Sequence, residues 1–169
     1  MKKLSFLPLI LLISCANSGK ITDFDKYHDV DNYHYEDIEG IDYVVLPYEP
    51  NTRYFQLLFK NAVPENLSKV DLEIINELLQ TAVNNYNISK ESRDKDIDLS
   101  KYNRQYIAVL NEKGEKEVYV NCFKNRQVRK DESWKKNLYI VVDGGSDFFK
   151  IKINLTKVFY YDFSVNGYA

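Results

Sequence analysis

One stretch of helical period followed only by periods of two constrains this chain more than any other feature. Between 69 and 86, apolar residues recur at Val70, Ile74, Ile75, Leu78, Leu79, Ala82, Val83 and Tyr86. Those spacings place them on a single stripe of a helix. Asp71, Glu73, Asn76, Glu77, Gln80, Asn84 and Asn85 fall mainly outside it. Ser68 with Asp71 three places later has the pattern of a capping box, and Leu67 with Leu72 that of a hydrophobic staple. The spacing therefore predicts a helix over 69–86 with one buried side.

After a charged connector at 90–101, the chain reads as strand. Over 102–110, Ile107 and Val109 fall on one face and Tyr102, Arg104, Tyr106 and Ala108 on the other. The loop 111–115 carries Gly114 for a positive φ. Val118, Val120 and Cys122 then point one way, and Glu117, Tyr119 and Asn121 the other. A basic connection over 124–136 leads to 138–142, another strand-like run, and residues 143–147 turn the chain again. Phe149, Ile151, Ile153 and Leu155 alternate with Lys150, Lys152 and Asn154, the cleanest period of two in the sequence. A run over 158–165 closes the set, and Asn166-Gly167 ends it. Two earlier β-branched and aromatic runs, 43–46 and 53–59, flank Pro47, Pro50 and Asn51 and are expected as short strands added at an edge.

A helix with one apolar stripe, followed by four consecutive antiparallel strands, buries that stripe only by lying across their sheet. The expected fold is α+β: one amphipathic helix packed on an antiparallel sheet of four or more strands, in a cystatin-like roll. A β-sandwich with a capping helix is the alternative. The chain of 169 residues is one domain's worth, long enough to bury about 68–70 % of its unfolded surface. Its 23 Lys and Arg against 25 Asp and Glu argue against a basic nucleic-acid binder.

The amino terminus carries an address. Met1-Lys2-Lys3 is a positive start, and residues 4–13 form a ten-residue apolar run broken by Ser5 and Pro8. Crossing a bilayer as a helix takes about 20 residues, so the run is a secretory h-region in length. Leu12-Ile13-Ser14-Cys15 follows. It resembles the bacterial lipobox, in which a small residue precedes a Cys that is lipidated through sulfur and becomes the new first residue. That resemblance implies a signal peptide over 1–14, a membrane anchor with palmitate-like acyl chains on Cys15, and a place in the cell envelope. Ala16 in place of Asp, by resemblance to enteric lipoproteins, favours the outer membrane. Removing 1–14 takes away Lys2 and Lys3, leaving 21 positive against 25 negative side chains, a net of −4. It also leaves Cys122 without a pairing partner, so the even cysteine count does not mean a bridge.

Residues 15–40 form an acidic tether, and a single domain is expected over 41–169. From Lys20 to Glu49 there are nine acidic residues and two lysines, whereas 50–169 carries 19 positive and 16 negative charges. The asymmetry suits a solvated segment that lifts the domain from anionic head groups, with Tyr27, Tyr33 and Tyr35 available to dock part of it on the domain. The mature chain also resembles small uncharacterised lipoproteins of Bacteroidetes-type bacteria. The likeness lies in Arg104-Gln105-Tyr106-Ile107-Ala108-Val109, Val118-Tyr119-Val120-Asn121-Cys122-Phe123, Asp143-Gly144-Gly145, Lys152-Ile153-Asn154-Leu155 and Tyr160-Tyr161-Asp162-Phe163-Ser164-Val165-Asn166-Gly167. It implies compartment and single-domain character and carries no catalytic residue.

No enzymatic constellation assembles from the residues. Cys122 shares a strand face with valines, where a thiol behaves as a small inert hydrophobe. His28 and His34 lie far in sequence from any Ser or Cys that would use them as a base. Together with Asp29, Asp31, Glu36 and Asp37 they match no rigid metal-ligand spacing, so neither metal nor cofactor is expected. Asp143 and Asp147 bracket a Gly-Gly-Ser turn that lacks the length and the bidentate Glu of a calcium loop. The most distinctive surface candidate is the basic connection: Lys124, Arg126, Arg129, Lys130, Lys135 and Lys136 against Asp131 and Glu132, with the only Trp, Trp134, among them. Aromatic and Arg side chains together are what binding hot spots use. The expectation is a non-catalytic protein-binding or accessory/inhibitor module using Trp134, Arg126, Arg129, Lys130 and Lys135. The alternative is a glycan-binding module that stacks sugars on strand aromatics such as Tyr102, Tyr106, Tyr119, Tyr139, Phe159, Tyr160 and Tyr161.

Overall fold

A computed structural model describes residues 34–36, 42–91, 95–127 and 132–168. The signal peptide, Cys15 and most of the tether lie outside them. The elements are β1 (His34–Glu36), β2 (Asp42–Val45), α1 (Arg53–Leu58), β3 (Val63–Pro64), α2 (Lys69–Ser89), β4 (Tyr102–Leu110), β5 (Lys116–Lys124), β6 (Phe148–Asn154) and β7 (Phe159–Val165). The class is α+β, one long helix packed with one sheet. That sheet runs β1-β2-β4-β5-β6-β7, with β3 pairing the far end of β4. Among the described residues there is no second sheet, so the sandwich alternative falls. The first strand, His34–Glu36, belongs to the segment read as tether and pairs with β2.

The expected helix is present and opens as its sequence dictates. The Ser68 hydroxyl accepts from the Asp71 N–H at 3.2 Å and the Ser68 N–H donates to the Asp71 carboxylate at 2.8 Å, which completes the capping box. The helix runs three residues past Tyr86 because Asn87 holds both the N–H and the C=O of Ile97, at 2.9 and 2.8 Å. That side chain binds the last turn to the connector as a strand neighbour would.

The hairpin β4–β5 pairs in register from Tyr102↔Lys124 to Leu110↔Lys116, and β5–β6 from Glu117↔Asn154 to Phe123↔Phe148. The side chains alternate as the period of two requires. Tyr106 and Ala108, Val118 and Val120, and Ile151 and Ile153 meet Ile75, Leu79, Ala82 and Val83 of α2 in one core. Ile107, Val109, Tyr119 and Phe123 line the opposite face and form a second core. β4 is buried on both faces from Tyr102 to Val109, with Asn103, Arg104 and Gln105 carried inside along with the apolar residues.

Three expectations are corrected here. Residues 53–58 form a helix and not a strand. Phe55 and Phe59 are one turn apart and both meet the Tyr48 ring edge-on, at 5.8 and 6.4 Å, while the Tyr48 hydroxyl donates to the Phe59 carbonyl at 2.7 Å. A turn of helix stacks two rings on one partner, whereas a strand would set them on the same face about 13 Å apart. Second, β2 pairs with β4 in parallel, Tyr43↔Arg104 to Val45↔Tyr106, so the sheet is mixed. Third, residues 138–142 are not a sheet strand. They lie with α1 over the second face, where Leu138, Tyr139 and Val141 pack on the core that holds Phe123 and Phe148.

Candidate functional site

The basic connection is placed differently from a surface anchor. Trp134 is only 3 % exposed. Its ring meets Phe123 edge-on at 5.4 Å, and Lys135 Nζ lies 5.9 Å above it while pairing with Glu132 at 2.9 Å. Trp134 is thus a core residue beneath the connection, which removes it as an exposed contact. Lys124 and Arg126 both pair with Asp147, Lys124 at 2.6 Å, and Gln127 donates to the same carboxylate at 3.0 Å. Burial pushes the Asp147 carboxyl up, but the hydrogen bonds from Lys124 and Arg126 outweigh it and hold it below the usual carboxylate range. The cluster ties the end of β5 to the start of β6. Arg129 and Lys130 lie outside the described residues.

What holds this second layer to the sheet is a network of amides. Gln105 is fully buried on β4 among Ile107 and Val109. Its Nε2 donates to the carbonyls of Trp134 and Asn137, at 2.5 and 2.8 Å. Its Oε1 accepts from Asn121 Nδ2 and from the Tyr139 N–H, both at 2.9 Å. Asn121 Nδ2 also donates to the Tyr139 carbonyl at 2.8 Å, and Asn166 Nδ2 to the carbonyls of Val141 and Asp143 at 2.7 and 2.9 Å. Every lone pair and proton of the Gln105 amide is used, the condition for burying one. Sequence reasoning passed over these residues. The available signal was two amides, Gln105 and Asn121, beside apolar and aromatic residues on their strand faces, each of which needs a partner from another segment.

Beside this segment lies a cleft lined by Tyr54, Tyr119, Tyr139, Ile140 and Lys150, among others, with about 20 Å³ of room. That is space for about one water and not for a sugar ring or a cofactor. Tyr119 is buried against Tyr54, and burial raises its pKa, so it stays a neutral phenol. Tyr102 and Tyr106 are core residues, and of the strand aromatics only Phe159, at 44 %, is strongly exposed. A stacking platform needs open ring faces, and most of the proposed rings are spent on packing.

The one described thiol is likewise committed to packing. Cys122 has no solvent exposure, and burial pushes its thiol up to about 12. Among the described residues no cluster of His, Cys, Asp and Glu is arranged to hold a metal, and no helix is long and apolar enough to cross a membrane. Comparison with known protein families, curated proteins and solved structures gave no match.

Proposed function

We infer that this chain is a lipid-anchored protein of the bacterial cell envelope, in the outer membrane, that acts by binding another envelope protein and not by catalysis. One observation carries the reading: Lys2-Lys3, a ten-residue apolar run and Ser14-Cys15 fall in register as a lipoprotein signal, ahead of an acidic stretch. A single acyl chain holds a protein marginally, whereas two or more hold it stably at about 0.8 kcal/mol per buried CH₂. The binding role is supported by what the side chains are spent on. The thiol is a core residue, and the described tyrosines serve packing and hydrogen bonds more than an open platform.

Mass spectrometry of the mature amino terminus, with detergent-phase partitioning of the parent and of Cys15→Ser, tests the anchor. The expected result is a lipidated Cys15 as first residue and an aqueous Cys15→Ser. An unmodified Cys15 in protein recovered free of membranes overturns it. The glycan alternative keeps one supporting feature, the exposed Phe159 with Tyr161 at 5.8 Å. A polysaccharide panel that leaves tyrosine fluorescence unchanged removes it.

A further inference from the structure

We propose that residues 138–142 are an edge onto which an extended, acidic polypeptide segment of the partner adds as a β-strand. This deepens the binding role inferred above and rests on it. Exposure alternates over 139–142: Tyr139 and Val141 are half-buried, while Ile140 is 53 % and Val142, where the chain bends, 87 % exposed. Alternation of period two is the mark of an extended backbone. The hydrogen bonds alternate with it. Tyr139 uses both its N–H and its C=O on Gln105 and Asn121, and Val141 its C=O on Asn166. In an extended chain neighbouring residues direct their backbone groups to opposite sides. The Ile140 and Val142 N–H groups lie trans to the fastened Tyr139 and Val141 carbonyls, and the Leu138 C=O lies trans to the fastened Tyr139 N–H, so these three groups point away from the amides, and they bond to no described residue.

The result is a strand with one side fastened to side-chain amides and the other open. Its Ile140-Val141-Val142 run is β-branched throughout, which suits pairing. Outward donors and acceptors on alternate residues match an extended polypeptide and no other ligand class, since sugars want ring faces and helices want grooves. Charge selects the kind of peptide. Lys136 precedes the edge and Lys150 lines the cleft beside it; both are exposed and neither has an ion pair with a described residue. Asp143, at the far end, is the only opposing charge on the segment, so the acidic side chains of the partner strand belong near Lys136 and Lys150. The Gln105 network and the Asp147 cluster fix both flanks in advance, which lowers the ordering cost of binding.

The test uses the whole mature-length chain, with Cys15→Ser for solubility, and an array of hexapeptides alternating Val or Ile with Thr and ending in Asp or Glu. The expected result is that members of the array slow amide exchange at Ile140 and Val142 about tenfold or more, while Tyr139 is already protected without them. Binding is lost on N-methylation of alternate peptide residues, weakened when the acidic end is made Lys, lost in Ile140→Pro and kept in Ile140→Val. The proposal is overturned if no array member affects those two amides, or if N-methylated peptides bind equally well. Should Ile140→Pro disturb the α2 amides as well, the N-methylated peptides decide alone. Cross-linking of the native protein separates the two readings. A partner mapped to another surface sinks the strand edge and leaves the binding role, whereas no partner at all sinks both.

Discussion

Replacing Gln105 by Ala tests the central claim about the second layer, that the Gln105 amide is the hub of the network holding it to the sheet. The substitution strips partners from four groups. Asn121 keeps its bond to the Tyr139 carbonyl, and Asn137 is exposed, so water replaces Gln105 there. The Trp134 carbonyl and the Tyr139 N–H are left in a poorly solvated place. Two such groups at about 1–3 kcal/mol each give an expected loss of about 2–6 kcal/mol. Urea unfolding gives the global figure, and amide exchange locates it. Protection of the Tyr139 amide should fall about 30-fold or more, with the α2 amides shifted only by the global change. The segment over 132–142 can also lift off locally, in which case Tyr139 loses protection while the urea midpoint moves less. A global loss under about 0.5 kcal/mol, the level of an ordinary surface substitution, with Tyr139 as protected as in the parent, refutes the reasoning.

Four further outcomes are expected. Leu79→Ala, at a fully buried position facing the sheet, costs about 2–5 kcal/mol in urea unfolding. Cys122 does not react with a maleimide in the native protein at pH 8 and labels only at the rate of unfolding, because burial pushes its thiol up to about 12. Acid lowers stability with a definite sign. Asp71 and Asp147 have folded pKa values below the ordinary Asp value of 3.8, so the unfolded state binds more protons, and their contribution is present above about pH 4 and lost as pH falls through the folded values; Asp147→Asn makes a pH series of urea midpoints shallower in that window. Ile140→Asp changes the unfolding free energy by under about 0.5 kcal/mol in urea, since more than half of the residue is in solvent.

What the sequence reveals here follows periodicity. The helix, its cap, β5 and β6 are legible with their faces; β4 alternates imperfectly but its faces still show, and β7 is legible as a strand-like run alone. The seven-residue run at 53–59 is not, because a short apolar run fits a buried strand or a turn of helix equally; Tyr48, as a shared partner for Phe55 and Phe59, decides it. Residues 138–142 have strand composition, yet their hydrogen-bond partners are Gln105, Asn121 and Asn166 side chains, which no local pattern announces. Trp134 misled for a related reason. Basic neighbours suggest a surface, but they snorkel around a ring that has its own socket on Phe123. The parallel pairing of β2 with β4 is a matter of topology, invisible to any window of sequence.

That parallel pair also sets an order of events. Tyr43 finds Arg104 only after 61 further residues exist, as 104 − 43 gives, whereas the hairpin of β4 and β5 closes over a five-residue loop. Non-local pairings form late. The portion of the domain made first, His34–Val45, is therefore the portion completed last, its seat at the sheet margin not existing until β4 has been synthesised. For much of its own assembly the chain must keep its leading end loose, and the sheet closes by receiving that end.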